Sequence, residues 1–339
     1  MRRARIAMTV AVTFLVAAAA PAQSVPRRHL ARASGSAVDA RELAMFTLNT
    51  QDFAYPELSA ATLARVLEIH DRYGVPLDVF LTGTIAQIYA DQFPELIVRL
   101  QSDELVAVDY HIRPPLPYYS NYDWLGLGAM SRDEQLAVVR SYESQALDLV
   151  TGQPLDAPGG FTLVAEAVKA PPLIVGDLAN EALQPVADQV FRELGARFCV
   201  VHGRASNLGE MRNGLFVRPE HVDLRLYEHL GEDSGAVLSD AFAAAGVTAG
   251  AVSPFVVGIK MHDNNFFAAA SAWTTVYLAP GARQGPPWDT SLRATLLDPA
   301  AQDAMWALYE SAVAWVAARS ATIRAVNAHD LATMVPGAD

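Results

Sequence analysis

Short apolar runs alternate with longer amphipathic segments along most of the chain. The runs, each bounded by turn residues, predict strands over residues 44–49, 77–82, 105–110, 173–176, 197–202, 255–261 and 323–327, with a weaker one over 153–157. Helical spacing and capping residues predict helices from Ser59 to Gly74, after the Ser131–Glu134 capping box, and over 179–194 and 301–319. Seven or eight strands with helices between them predict an α/β fold with parallel strands. The spacing favours a (β/α) barrel, TIM-like but distorted or incomplete, over a doubly wound open sheet.

The first residues have the pattern of an export signal. Arg2, Arg3 and Arg5 precede an apolar run over 6–20, and Ala20-Pro21-Ala22 fits a cleavage site. The run is shorter than the roughly 20 residues that a membrane-spanning helix needs, which disfavours an uncleaved anchor. We expect a signal peptide over 1–22, a linker over 23–40 and a single barrel domain over 41–339, in a secreted or periplasmic protein that is not held in a membrane after cleavage.

Composition narrows the class of protein. Hydrophobic residues make up 52% of the 339 residues and charged residues 18%, which excludes a disordered chain. The net charge of −12 disfavours a nucleic-acid partner. Cys199 is the single cysteine, so the sequence has no disulfide framework and no cysteine-based zinc cluster. The polar segments 203–234 and 280–300 are predicted to be loops, and His70 is expected on a helix surface.

Polar residues stand where several predicted strands end. His111, His202 and His262 lie at three such ends, and Asp52 follows the first strand. Any one of them alone is more simply a hydrogen-bonded strand-end residue. Because a β/α barrel brings the carboxyl ends of its strands to one rim, we expect these side chains to share a site there. Imidazole and carboxylate are ligands of zinc, and imidazole also transfers protons near neutral pH.

The order of these parts resembles the polysaccharide deacetylase superfamily, the NodB-like barrel hydrolases, over roughly residues 44–335. In that family an acidic motif ends the first strand, H-[ST]-x-x-H ends the third strand, and L-x-H lies on a late strand. The matching stretches here are Thr47–Phe53, His111–Pro115 and Ile259–Asp263.

The resemblance implies a metal-assisted hydrolase with its catalytic groups on these stretches. Asp52 and His111 would hold a divalent cation, with zinc the first candidate, and the third ligand would be His262, Asp263 or His202. The cation would activate a water molecule that attacks the acyl group of a sugar, and His262 would protonate the leaving group. Asp52, His262 and Asp263 are thus the candidate catalytic residues.

The sequence also departs from the family pattern. Asn49 and Gln51 replace acidic residues of the first motif, and Pro115 stands where the second metal-binding histidine belongs, so the metal triad is incomplete. Candidate substrate contacts are rim residues with aromatic or polar side chains. These are Arg113, Tyr118, Tyr119, Trp124, Asn264 and Trp273.

Three functions remain open at this point, and each has a carbohydrate as partner. The first is an exported hydrolase that removes acyl groups from a sugar or polysaccharide with the help of a metal. The second is a glycoside hydrolase that uses Asp52 and Asp263 as its carboxylate pair. The third is a catalytically silent carbohydrate-binding barrel, which Asn49 and Gln51 favour.

Overall fold

The computed structural model describes residues 42–176, 179–279, 281 and 285–338. The predicted signal peptide over 1–22 and the linker over 23–40 lie outside the described residues. Within the described ranges, no helix has both the length and the apolar character needed to cross a bilayer.

Strands and helices alternate through the first half of the described chain and again at its end. The strands are β1 (Glu42–Thr50), β2 (Leu77–Leu81), β3 (Val106–His111), β4 (Gln145–Leu147), β5 (Pro154–Pro158), β6 (Ile174–Gly176), β7 (Phe198–His202), β8 (Met211–Arg212), β9 (Leu215–Glu220), β10 (Val222–Arg225), β11 (Phe255–His262) and β12 (Ile323–Ala325). The helices are α1 (Pro56–Tyr73), α2 (Gly83–Gln92), α3 (Pro94–Ser102), α4 (Arg132–Ser144), α5 (Gly160–Val168), α6 (Gln184–Leu194), α7 (Ser234–Ala249), α8 (Pro299–Ala317) and α9 (Ala328–Met334).

The main sheet is parallel except at β8 and follows the order β10-β11-β1-β2-β3-β6-β7-β9-β8, with β12 paired to the start of β1. Strands β9 and β10 lie near opposite ends of this order, yet His221 alone separates them in sequence. The sheet therefore curls back on itself. His221 ties the curl to β11, because its backbone N–H donates to Val256 O at 3.0 Å and its Nδ1 accepts from Val256 N at 2.9 Å. The predicted α/β class and distorted parallel barrel are confirmed.

Alternate strand residues face the inside of the curled sheet or the helices around it. Apolar inner residues of several strands, among them Leu43, Phe198 and Val256, pack against Leu331 of α9 in one buried cluster. Helix α9 thus closes the end of the barrel where the strands begin, and its first N–H, at Ala328, donates to Asp78 of β2 at 2.8 Å. The carboxyl ends of the strands remain free to build a site.

Two segments differ from their predicted structure. Residues 153–157 were expected as a barrel strand, but β5 pairs antiparallel with β4 in a separate two-stranded sheet. Segment 203–234 was expected as a loop, but it supplies β8, β9 and β10. Strand β9 lacks the apolar run by which the other strands are predicted, because its inward-pointing residues Arg218 and Glu220 are charged. They form ion pairs inside the barrel.

Helix α1 corrects two further expectations. It begins at Pro56 and not after a Ser59 cap, and the Ser59 hydroxyl instead contacts Asp263 and Tyr89 inside the protein. His70, expected at the surface, is buried on the core face of this helix. Its Nδ1 lies 2.8 Å from Val75 O and its Nε2 2.7 Å from the Tyr309 hydroxyl. A neutral ring satisfies both contacts by donating from Nδ1 and accepting at Nε2.

This burial predicts a pH-dependent stability. Burial lowers the pKa of His70 to about 4. Since the unfolded chain binds this proton near pH 6.5, the stabilisation is complete above that pH and declines as pH falls towards 4. Between pH 7 and pH 4, the unfolding free energy of the wild type relative to His70→Gln should fall by about 3 kcal/mol. Urea unfolding of both proteins at several pH values checks this, and a pH-independent difference would contradict it.

Candidate functional site

A cavity of about 320 Å³ opens at the carboxyl ends of the barrel strands; we call it the lumen cavity. It contains all three histidines that were predicted at strand ends. Its lining includes the polar residues Thr47, Asn49, His111, Arg113, Tyr119, His202, Arg218, Glu220, Asp223, Arg225, Tyr227, Lys260 and His262. These come from six strands and the segments that follow them, so the curl of the sheet assembles the site.

A histidine–carboxylate pair forms one wall of the lumen cavity. His202 at the end of β7 places its Nδ1 2.7 Å from Glu220 Oε2 at the end of β9, because the two residues are register partners. Glu220 is 1% exposed, whereas the His202 side chain is 36% exposed. Burial alone would raise the pKa of Glu220, but the charges of Arg218 and Lys260 hold that pKa well below its ordinary value. Glu220 is therefore a permanent carboxylate that orients the His202 ring.

Cations balance the acidic groups of this wall. Arg218 lies 2.8 Å from Glu220 Oε1, and both side chains are 1% exposed. Lys260 Nζ lies 2.7 Å from Asp223 Oδ1 and 3.9 Å from Glu220 Oε2. One ligand atom from each of His202, Glu220 and Asp223 lies within 4.8 Å of the other two. This group has the ligand types of a divalent cation site, but Lys260 already occupies the space beside both carboxylates.

Two glycines make room for reactive side chains in the lumen cavity. A Cβ added to Gly258 of β11 would stand 2.5 Å from Glu220 Cδ, and one added to Gly176 of β6 would stand 2.8 Å from His111 Nδ1. A glycine inside a strand often marks such a close approach. The missing side chains at these two positions thus permit the positions of Glu220 and His111.

His111 is a second histidine of the lumen cavity lining. It is 4% exposed, and neither ring nitrogen has a hydrogen-bond partner among the described residues. Burial, together with the nearby charge of Arg113, lowers the pKa of His111 well below its ordinary value. The ring is therefore neutral. Buried polar atoms normally have partners, so the two bare nitrogens indicate a place for a ligand.

The close approach of Gly176 to His111 allows the position of this imidazole to be tested. Gly176→Ala should push the imidazole out of its place, because the new methyl group would overlap Nδ1 at 2.8 Å. We expect kcat/KM for any substrate bound in the lumen cavity to fall by roughly 10- to 100-fold, since a shift of about 1 Å costs that much. Steady-state kinetics of the variant check this. Gly285→Ala, at a position where an added Cβ meets nothing within 4 Å and the backbone does not require glycine, is the control for a glycine replacement.

Arg113 fills the region between Gln51 and His262. Its Nε donates to Gln51 Oε1 at 2.5 Å, and one terminal nitrogen lies 3.4 Å from His262 Nε2. Gln51 in turn donates to Asn264 at 3.2 Å. Burial and the charge of Arg113 lower the pKa of His262 well below its ordinary value. A guanidinium thus lies beside Gln51 and His262, two residues of the stretches that the sequence predicts to carry the catalytic motifs.

Asp52 and Asp263 lie outside the lumen cavity lining, and both are fully buried. Asp52 Oδ1 accepts from the N–H groups of Ala54 and Tyr55, each at 3.0 Å, and its Oδ2 accepts from Ala272 N at 2.9 Å. Asp263 Oδ2 accepts from Gln51 N and Asp52 N, each at 3.1 Å. Burial, and then the charge of Asp52, raises the pKa of Asp263 to about 6. Both carboxylates hold loops together.

These contacts test the metal site that the deacetylase resemblance implies. Both oxygens of Asp52 already accept backbone hydrogen bonds, Pro115 supplies no ligand, and the cationic Arg113 lies beside His262. A divalent cation held by Asp52 and His111 therefore does not fit the residues present. The only described group of three histidine or acidic residues with atoms close enough for one ion is His202, Glu220 and Asp223.

The predicted substrate contacts divide between cavity and core. Tyr119 and Arg113 line the lumen cavity, and Asn264 supports it through Gln51. Tyr118 is fully buried against Phe191. Trp124 donates to Pro115 O at 2.6 Å and packs edge-to-face on Trp288, and Trp273 stacks on Tyr277. The rings at 118 and 124 therefore organise the rim without lining the lumen cavity.

Several lining residues were not found from the sequence, namely Glu220, Asp223, Arg225 and Tyr227. The available signal was the alternation in 215–220, where Leu, Val and Pro alternate with Phe, Arg and Glu. This is the period of a strand, but two of its three inner positions, Arg218 and Glu220, are charged. A strand with charged inner positions is what the wall of a polar cavity requires.

Comparisons with known proteins agree with this geometry at the level of fold. No protein-family model and no curated protein matches the chain. A structure from Mycobacterium smegmatis assigned as a polysaccharide deacetylase superposes with a TM-score of 0.50 at 12% identity, over 88% of this chain and 92% of that one. The 4-alpha-glucanotransferase from Thermococcus litoralis gives 0.51 at 11% identity over 88% of this chain, which spans 41% of that enzyme. The predicted resemblance to the NodB-like fold is thus confirmed.

Proposed function

We propose that this chain is a hydrolase that removes acyl groups from a carbohydrate, with the lumen cavity as its reacting centre. The observation that carries the proposal is the His202–Glu220 pair. A buried carboxylate 2.7 Å from Nδ1 holds the imidazole, and the ring lines the cavity. This is the arrangement by which a carboxylate orients a histidine as general base.

The reaction follows from the arrangement of these groups. A proton on Nδ1, which lies 2.7 Å from the Glu220 carboxylate, leaves Nε2 of His202 to accept a proton from water. The water oxygen bonds to the acyl carbon, the bond from that carbon to the sugar oxygen or nitrogen breaks, and the protonated His202 returns its proton to the sugar. Arg113, Arg225 and Lys260 supply positive charge in the same cavity, where it stabilises the oxyanion that forms.

Two observations favour a carbohydrate as the substrate. The described fold is shared with a polysaccharide deacetylase and a glucanotransferase, whose names indicate sugar substrates. Tyr119 and Tyr227 line the lumen cavity, and aromatic rings suit the apolar faces of sugars. Export of the protein, with the signal peptide over 1–22, remains part of this proposal.

The second candidate function is a metal-dependent hydrolase that uses the same cavity. It is favoured because His202, Glu220 and Asp223 have possible ligand atoms within 4.8 Å of one another. Zinc accepts this set of ligands and, when bound, lowers the pKa of a water molecule. Lys260 would first have to leave Asp223, from which it lies 2.7 Å away. This competition is the reason why we place the metal-free centre first.

Chelation separates the two candidates. We expect acetate release from acetylated xylo- and chito-oligosaccharides to change by less than twofold after dialysis against EDTA, because no step in the proposed reaction uses a metal. Elemental analysis of the purified protein should show less than stoichiometric zinc. Loss of activity on chelation, with recovery on adding Zn²⁺, would favour the His202–Glu220–Asp223 metal site. Binding of these oligosaccharides without any release would favour the silent binding barrel.

A further inference from the structure

A second cavity, of about 260 Å³, adjoins the site; we call it the side cavity. It lies among β3, the helices α2 and α5, and the β4–β5 hairpin. Its apolar lining includes Ile88, Leu116, Leu147, Leu149 and Leu163. His111 and Arg113 line both the side cavity and the lumen cavity. The proposed reaction leaves the side cavity without a role.

Two buried polar groups in the side cavity lining have no partner among the described residues. The first group is the imidazole of His111, with its atoms Nδ1 and Nε2, and the second is the indole Nε1 of Trp273. His111 is 4% exposed and Trp273 is 3% exposed. An indole N–H can only donate, so Trp273 needs an acceptor. Leaving such groups unsatisfied in the interior is costly, which indicates a ligand with an oxygen acceptor next to an apolar part.

We infer that the side cavity binds the acyl chain of the substrate and that the preferred substrates are sugars with a medium-chain acyl group, longer than acetyl. This inference rests on the proposed function. One water molecule takes about 30 Å³ in the liquid, so the side cavity of about 260 Å³ holds roughly eight groups of that size, each with one heavy atom. The five aliphatic side chains contact the chain. Its carbonyl oxygen lies at the boundary of the two cavities, where Trp273 donates to it from the side cavity and Arg113 and His111 line both cavities. The acyl carbon then lies towards His202.

The test is a chain-length series. Acetyl, butyryl, hexanoyl, octanoyl and dodecanoyl esters of methyl glucoside are compared by the rate of acid release. We expect kcat/KM to rise by about fourfold per methylene up to hexanoyl or octanoyl, from the free energy of burying each CH₂, and to fall at dodecanoyl. A series that is flat, or highest at acetyl, would overturn the inference.

Variants locate the effect in the side cavity. Leu163→Trp should fill the cavity and reduce the octanoyl-to-acetyl ratio of kcat/KM by at least tenfold. Leu155→Trp adds the same ring on the neighbouring hairpin, where Leu155 is 45% exposed and outside the lining, and should leave that ratio unchanged. Equal ratios in the two variants would contradict the inference. Trp273→Phe keeps an aromatic ring but removes the donor, and should weaken octanoate binding by roughly fivefold to tenfold.

A binding measurement separates this inference from the proposed reaction. Sodium octanoate is titrated into wild-type protein and into Leu163→Trp by calorimetry, which requires no catalysis. Octanoate binding that Leu163→Trp abolishes supports the side cavity even if no ester is hydrolysed, and in that case only the proposed reaction fails. Acetyl hydrolysis with no detectable octanoate binding rejects the side cavity and leaves the reaction standing.

Discussion

Replacing His202 with asparagine is expected to lower kcat/KM for acyl release by about 10²- to 10⁴-fold, which is the usual contribution of a general base. Asparagine retains a polar group beside Glu220 but cannot accept and return the proton at Nε2. The side chain is 36% exposed, so the unfolding midpoint should change little. Steady-state rates and urea unfolding of the same preparation measure both quantities.

The chain offers a matched control for this replacement. His229 also pairs with an acidic residue, Glu232 at 3.2 Å, but does so in a turn outside the lumen cavity lining. His229→Asn should therefore retain the wild-type rate. Equal rates in the wild type and His202→Asn would remove His202 from the reaction.

Replacing Glu220 with leucine is expected to reduce the unfolding free energy by about 3–5 kcal/mol, because it leaves a buried charge without its partner. Arg218 is 1% exposed and lies 2.8 Å from this carboxylate, and its other hydrogen bonds go to Thr47 Oγ1 at 3.4 Å and Met45 Sδ at 3.2 Å, which carry no charge. Asp78 and Asp109 also interact electrostatically with Arg218, but burial raises the pKa of each carboxyl group, so neither supplies a full negative charge. Urea unfolding at pH 7 measures the loss.

A second replacement tests the cause of that loss. Arg218→Met combined with Glu220→Leu removes both charges and should recover at least half of the lost stability. Glu228→Gln removes a carboxylate from an exposed pair with Arg225 and should cost less than about 1 kcal/mol. If the double variant is as unstable as Glu220→Leu, the loss comes from packing around the Glu220 side chain and not from the uncompensated charge.

The sequence predicted the parts of the fold that depend on apolar pattern and strand order. β1, β2, β3, β7 and β11 were found because their outer and inner faces are largely apolar, so each strand appears as a short apolar run. The same reasoning placed His111, His202 and His262 at strand ends, and all three line the lumen cavity. Because the strands are parallel, the residues at their carboxyl ends lie at the same edge of the sheet. Residues that local sequence places at strand ends are therefore expected to meet.

The remainder depends on contacts between distant residues, which local pattern does not encode. Asp52 is predicted from the sequence to be a metal ligand, but both of its oxygens accept hydrogen bonds from backbone donors of its own turn and of Ala272. Glu220 lies in a segment that is too polar to be predicted as a strand, and its partners Arg218 and His202 are identified only once β7 and β9 pair. The gaps left by Gly176 and Gly258 are likewise visible only in three dimensions.

The role of His202 as general base is best tested by a crystal structure of the His202→Asn protein soaked with an acylated oligosaccharide, since the variant should bind substrate without releasing the acyl group. We expect the acyl carbon in the lumen cavity, with a water molecule about 3–3.5 Å from it on the side of residue 202. An oligosaccharide bound with its acyl group outside that cavity, or remote from residue 202, would exclude His202 as the general base.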